Sequence, residues 1–155
     1  MAKAKSCVDD VITIHTDGSC KGNPGPGGWA YHIAKGPRRK LGSGGEVETT
    51  NNRMELRAAI EGLSALKVPD LHVVVVTDSA YLRNGITRWI ENWKARGWRT
   101  GTNKPVKNVD LWQRLERVAS AHQVEWVWCR GHSGVAGNEL VDRAASAAAE
   151  RARPT

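Results

Sequence analysis

The chain has 155 residues, 40% of them apolar and 25% charged, which suits one folded domain and excludes a fibrous or disordered composition. A formal charge of +7 and a pI near 9.7 favour a polyanionic partner. Cys7, Cys20 and Cys129 contain no Cys-x-x-Cys pair, which argues against a zinc ribbon or a disulfide framework and for a reducing compartment.

The start, Met1 to Lys5 running into Asp9 and Asp10, shows no apolar signal region, and no apolar run is long enough to span a bilayer. A cytoplasmic protein with no membrane partner is expected. Val11 to Thr16 reads as a strand on its β-branched residues, and Gly18 to Gly28 as a glycine-rich turn. Trp29 to Ala34 and, more weakly, Lys40 to Val47 complete three strands whose short connections predict an antiparallel meander. Asn51 or Asn52 is expected to cap a helix in which Leu56, Ala59, Ile60, Leu63 and Leu66 recur at helical spacing to about Lys67. Leu71 to Thr77 is a continuous apolar strand, the pattern of a strand covered on both faces. Tyr81 to Trp93 reads as a helix broken near Gly85, followed by a polar, basic loop from Gly97 to Lys107. An amphipathic helix from Val109 to Ala121, a strand from Val124 to Cys129 and an alanine-rich helix from Asn138 to about Arg151 close the chain. The order β-β-β-α-β-α-α-β-α predicts an α/β protein with a mixed sheet and helices on its faces.

Four acids stand at the boundaries of these elements. Asp17 and Asp78 follow apolar strands, Glu55 lies in the first turn of a helix, and Asp142 lies on the last helix. Any one of them alone reads as a solvated terminus. Together they suggest a cluster, because ligands of open α/β sheets bind beyond the carboxyl ends of strands. Crowded carboxylates repel one another unless cations neutralise them. Oxygen donors without a Cys or His set select Mg²⁺ or Mn²⁺ over zinc. Two such ions would activate water and stabilise a departing oxygen in phosphodiester cleavage.

Of the five histidines, His15, His32, His72 and His122 fall in or beside strands and helix ends and read as surface or core residues. His132 differs. It sits in Arg130-Gly131-His132-Ser133-Gly134, just before the helix that carries Asp142, where an imidazole suits proton transfer or product release. Between Arg83 and Lys107, Trp89, Trp93 and Trp98 interleave with Arg and Lys, a pattern that suits phosphate contacts and stacking on sugars or bases. The plainer alternative is an amphipathic helix with its indoles in the core.

These segments together resemble type 1 ribonuclease H of bacteria. The matching pieces are Thr16-Asp17-Gly18-Ser19-Cys20 with Gly22-Asn23-Pro24-Gly25, then Thr50-Asn51-Asn52-Arg53-Met54-Glu55-Leu56 and Thr77-Asp78-Ser79. Further on come Trp89-Ile90, Trp93-Lys94, Arg96-Gly97-Trp98, Lys104 through Trp112, Gly131-His132-Ser133-Gly134 and Asn138-Glu139 with Asp142. The resemblance spans roughly Val11 to Ala149. It implies a ribonuclease H-like fold in residues 1–155, with its core at about 11–150. The expected sheet is mixed and five-stranded, three antiparallel strands then two parallel, flanked by helices, with a basic handle at about 89–107.

The activity implied is endonucleolytic hydrolysis of the RNA strand of RNA–DNA hybrids, leaving 5′-phosphate and 3′-hydroxyl ends, by a monomer. Asp17, Glu55, Asp78 and Asp142 would bind two Mg²⁺ ions, with Mn²⁺ able to substitute, and His132 would assist turnover. Glu55 would also meet a ribose 2′-hydroxyl, the atom that distinguishes RNA from DNA. Cys20, Asn23, Asn51 and Asn52 match minor-groove contacts, Trp89 and Trp93 the channel for the DNA strand, and Thr50 and Asn108 part of a DNA-phosphate pocket. Glu48 stands where some members have Arg, and Ala80 where a larger RNA-contacting side chain is common. Other readings are a silent hybrid-binding module, which a missing acid would have marked, and a transposase- or resolvase-like nuclease on the same fold.

Overall fold

The computed structural model describes residues 11–130 and 136–154. The elements in chain order are β1 (Ile12–Cys20), β2 (Gly25–Lys35), β3 (Arg38–Thr49), α1 (Asn51–Ser64), β4 (His72–Thr77) and α2 (Ala80–Asn84). A π-helical turn (Gly85–Trp89) leads into α3 (Ile90–Ala95), followed by α4 (Val109–Ala119), β5 (Gln123–Trp128) and α5 (Ala136–Arg151). The five strands form one sheet in the order β3-β2-β1-β4-β5. The first three pair antiparallel, and β4 lies parallel to both β1 and β5. This is the mixed sheet expected from the sequence.

Alternate residues of β1 meet different helices. Ile14 lies against Gly62 of α1, whereas His15 lies against Gly137 of α5. The main core is therefore on the α1 side, where Ile14, Leu56, Ile60, Val73, Val75, Leu82, Trp112 and Leu115 are buried together. A smaller cluster of Ala30, Val141 and Ala145 seats α5 on the other side. Alanine along α5 lets the helix approach β2 closely: a Cβ at Gly28 would strike the backbone of Ala145 and Ala149.

Three expectations need correction. The glycine-rich stretch from Gly18 to Gly28 is mostly strand, because β1 runs on to Cys20 and β2 begins at Gly25. Gly18 pairs with Trp29 and Cys20 with Gly27, so these glycines serve close packing, and only residues 21–24 turn. The cap of α1 is Thr50, whose extended backbone (φ −130°, ψ 162°) places its hydroxyl to accept from Arg53 N; Asn51 and Asn52 are already helical. That helix ends at Ser64, three residues before Lys67. The break expected near Gly85 is present as the π-helical turn.

Candidate active site

The parallel pairing of β1 with β4 runs from Ile12↔Val73 to Thr16↔Thr77. The next residue on each strand is Asp17 and Asp78, so the register sets the two carboxylates side by side at the carboxyl end of the parallel ladder. Asp17 is not at the end of its strand, as the sequence suggested. It stands where the parallel neighbour stops while antiparallel pairing with β2 continues through Asp17↔Ala30.

Gly18 brings the third acid. A Cβ there would lie 2.5 Å from Glu55 N and 2.6 Å from Met54 C, so the first turn of α1 rests directly on the strand. Asp17, Glu55 and Asp78 each offer a carboxylate oxygen within 4.8 Å of the others. Asp142 of α5 joins them through a hydrogen bond with Asp17. The cluster is deep: Asp17 is 3% and Glu55 5% exposed.

Burial and crowding set the electrostatics. The Asp17 pKa is pushed up to about 8, first by desolvation, then by the Asp78 charge and the hydrogen bond and charge of Asp142; the Gly18 N–H, 2.9 Å from Asp17 Oδ1, opposes the rise. Desolvation, then the charges of Asp17 and Asp78, hold Glu55 well above the ordinary carboxylate range. The Glu55 Oε1 atom is buried with no hydrogen-bond partner among the described residues. An all-oxygen set of mutually repelling carboxylates with one unsatisfied buried acceptor fits a hard divalent cation.

Two neighbours of the cluster escaped sequence reasoning. Trp128 Nε1 donates to the backbone oxygen of Asp78 (3.2 Å), tying the end of β5 to that acid. Cys129 lies close enough that the charges of Asp78 and Asp17, after burial, raise its thiol pKa, and its Sγ meets Asn138 Oδ1 at 3.6 Å. Neither residue type signals such a role at its position. His132 lies outside the described residues.

The expected substrate residues form two groups beside the acids. In the first, Asn23 Oδ1 accepts from Asn51 N at 2.9 Å, which binds the 21–24 turn to the start of α1. Cys20 Sγ sits between Gly22 O and Thr49 O, so Cys20, Asn23 and Asn51 occupy one neighbourhood a turn before Glu55, while Asn52 lines a cleft with Tyr81 and Asn108. In the second, the Trp89 and Trp93 rings are 5.9 Å apart, with Trp93 5.3 Å from the buried Trp112. Trp93 thus anchors in the core, as the plainer alternative expected, while Trp89 stays 39% exposed. Thr50 and Asn108 are linked through Arg53, which bonds to each. Glu48 and Ala80 are exposed.

The RNase H family model matches residues 9–150. The chain belongs to the ribonuclease H family. It is 55% identical over 143 residues to the ribonuclease H of Maricaulis maris, covering 92% of this chain and 96% of that one. It is likewise 55% identical over 141 residues to the ribonuclease H of Nitrosococcus oceani, covering 91% and 95%. The crystal structure of LC9-RNase H1, a type 1 RNase H with the type 2 active-site motif, superposes with a TM-score of 0.83 at 36% identity, over 92% of this chain and 73% of that one. A foamy viral protease-reverse transcriptase in complex with RNA/DNA hybrid shares the fold at 17% identity and a TM-score of 0.78, over 97% of this chain and 21% of its own length. As a member of this metal-dependent family the chain is a hydrolase, an endonuclease acting on the RNA strand of RNA–DNA hybrids. No helix among the described residues is long and apolar enough to cross a membrane.

Proposed function

We propose that this chain cuts the RNA strand with two Mg²⁺ ions held by Asp17, Glu55, Asp78 and Asp142, with Mn²⁺ able to substitute. The observation that carries the reading is the convergence of Asp17, Glu55 and Asp78 within 4.8 Å, with Asp17 and Glu55 buried and destabilised as bare anions. When bound, the ions supply a nucleophilic water and neutralise charge on the departing oxygen, which leaves 5′-phosphate and 3′-hydroxyl ends.

The chain's own groups do the rest. Asp17 and Asp78 hold the cluster on the sheet. Glu55, fixed by the contact of α1 with Gly18, accepts the ribose 2′-hydroxyl and makes the site sensitive to RNA. Cys20, Asn23, Asn51 and Asn52 face the minor groove, and Trp89 and Trp93 line the DNA channel. Thr50 and Asn108 receive a DNA phosphate, and His132 serves proton transfer or product release. Residues 89–107 act as a basic handle on a single domain that works as a monomer. Cys20 and Cys129 are free thiols, which supports a reducing, cytoplasmic setting.

The test uses matched RNA–DNA, RNA–RNA and DNA–DNA duplexes with Mg²⁺ and with EDTA. Cleavage confined to the ribonucleotide strand of the hybrid, and only with metal, is expected. Asp17→Asn is expected to lose cleavage while keeping hybrid binding in Ca²⁺; a variant that still cuts would remove Asp17 from the metal set.

A further inference from the structure

Thr50 and Asn108 are ambivalent groups: a hydroxyl and a carboxamide each both donate and accept. A phosphate only accepts, so a pocket built from them works only if their acceptor oxygens are turned away or occupied. Position 53 does this for both. Its main-chain N–H donates to Thr50 Oγ1 at 3.2 Å, which any residue there would offer. Its guanidinium donates to Asn108 Oδ1 at 3.2 Å while it also forks onto Asp110, a planar arrangement that the single ammonium of Lys cannot reproduce.

The rest of the network points the same way. Arg53 is itself held by a two-pronged contact with Asp110, at 3.1 and 2.8 Å. Asn108 caps α4 without a side-chain capping bond, so its amide is not committed to that helix. The amide nitrogen donates to Tyr81 Oη at 3.0 Å, and Trp112 Nε1 donates to the same oxygen at 3.1 Å. With two bonds accepted, the Tyr81 hydroxyl has its hydrogen left to give. Of these groups Tyr81 and Asn108 border a cleft of about 400 Å³ whose lining also includes Asn52, Lys104 and Lys107 and no carboxylate. The Arg53–Asp110 pair is half open to solvent, with side-chain exposures of 30% and 61%, and such pairs contribute little to stability.

We propose that Arg53 is a positioning residue for the pocket that receives a phosphate of the DNA strand: its guanidinium occupies the Asn108 amide oxygen, and with one amide hydrogen given to Tyr81 this leaves the second N–H as the group Asn108 presents. This rests on the hybrid-cleaving reading and on Thr50 and Asn108 meeting a DNA phosphate. Without Arg53 the amide is free to turn its oxygen toward the anion.

The experiment scans a single uncharged methylphosphonate along the DNA strand of a hybrid and measures KM and kcat for the full chain. For the unsubstituted protein, one position is expected to raise KM about tenfold, the scale of one charge-assisted hydrogen bond. In Arg53→Ala and in Arg53→Lys, KM on plain hybrid rises by a similar factor, more than kcat falls, and the penalty at that one position disappears. Asn108→Ala behaves in the same way. A purely structural role would lower the melting temperature and leave the position-specific penalty intact; that result in either Arg53 variant overturns the proposal. Arg53→Lys keeps the charge and serves if the alanine variant fails to fold. Failure of the unsubstituted protein to cut plain hybrid would reject the ribonuclease reading, and this assignment with it. Cleavage without any methylphosphonate-sensitive position would reject the pocket alone.

Discussion

Asp17 works against the metal-free fold. Its carboxyl titrates at about 8 in the folded protein against 3.8 ordinarily, so between those values the folded state holds a proton that the unfolded state has released. Stability of the metal-free protein therefore falls as pH rises from about 4 to about 8, and Glu55, raised for the same reasons, steepens the fall. Thermal melts in EDTA are expected to give a lower midpoint at pH 8 than at pH 5, with Mg²⁺ restoring more at pH 8. Asp17→Asn removes the buried charge, so its midpoint in EDTA at pH 8 is expected to exceed that of the unsubstituted protein although cleavage is lost. Equal or lower stability of that variant would show that the carboxylates do not repel. Gly18→Ala drives a methyl into the backbone of Glu55 and Met54. About 1–3 kcal/mol of destabilisation is expected, as for overpacked cores, together with a fall in kcat as Glu55 is pushed from Asp17. Denaturant titration and kinetics on the same variant check both.

The interrupted helix from Ala80 to Ala95 has a packing cause. The Trp112 ring lies so close to Gly85 that any Cβ there would enter it. Trp112 is fully buried, donates to Tyr81 and sits against Trp93, so α4 is the back wall on which the π-helical turn and α3 rest. Trp112→Ala is expected to cost about 3–5 kcal/mol. Beyond stability it should loosen Trp93, and Trp89 through it, and so weaken hybrid binding in conditions where the variant remains folded. Unchanged affinity in the folded variant would separate the aromatic platform from the DNA channel.

Across the whole molecule, a net charge of +7 coexists with a buried acidic cluster. The basic residues give long-range attraction to a polyanion, while Asp17, Glu55 and Asp78 gather at one point. Not every handle cation is available for this. Lys94 is paired with Glu116 and approaches Glu91 at 3.8 Å. Lys104 and Lys107 instead line the cleft that contains no acid. Replacing Arg96, Lys104 and Lys107 by Ala is expected to flatten the salt dependence of hybrid binding by about one unit of slope for each phosphate no longer neutralised, and Lys94→Ala to change it less. Titrations of hybrid at several salt concentrations decide this, and an identical slope in the triple variant would place the phosphates elsewhere.

Most of the elements were legible in the sequence, because strand and helix announce themselves through local periodicity: the run Val73 to Val76, or Leu56, Ile60 and Leu63 on one face of α1. The four acids were legible too, because a carboxylate after an apolar strand is out of place locally, and the resemblance supplied the family. The glycine-rich stretch was not, since a glycine that permits a turn and one that lets a helix approach a strand look identical along the chain; only the packing of α1 and α5 tells Gly18 and Gly28 from a turn. The cap at Thr50 was missed by one residue because capping depends on backbone angles that neighbouring polar residues do not reveal. The geometry of the acidic cluster, whose existence the sequence suggested, and the link from Arg53 to Asn108 belong to the tertiary structure. They arise from strand register and helix seating, which couple residues dozens of positions apart, and local sequence preference has no means of recording that distance.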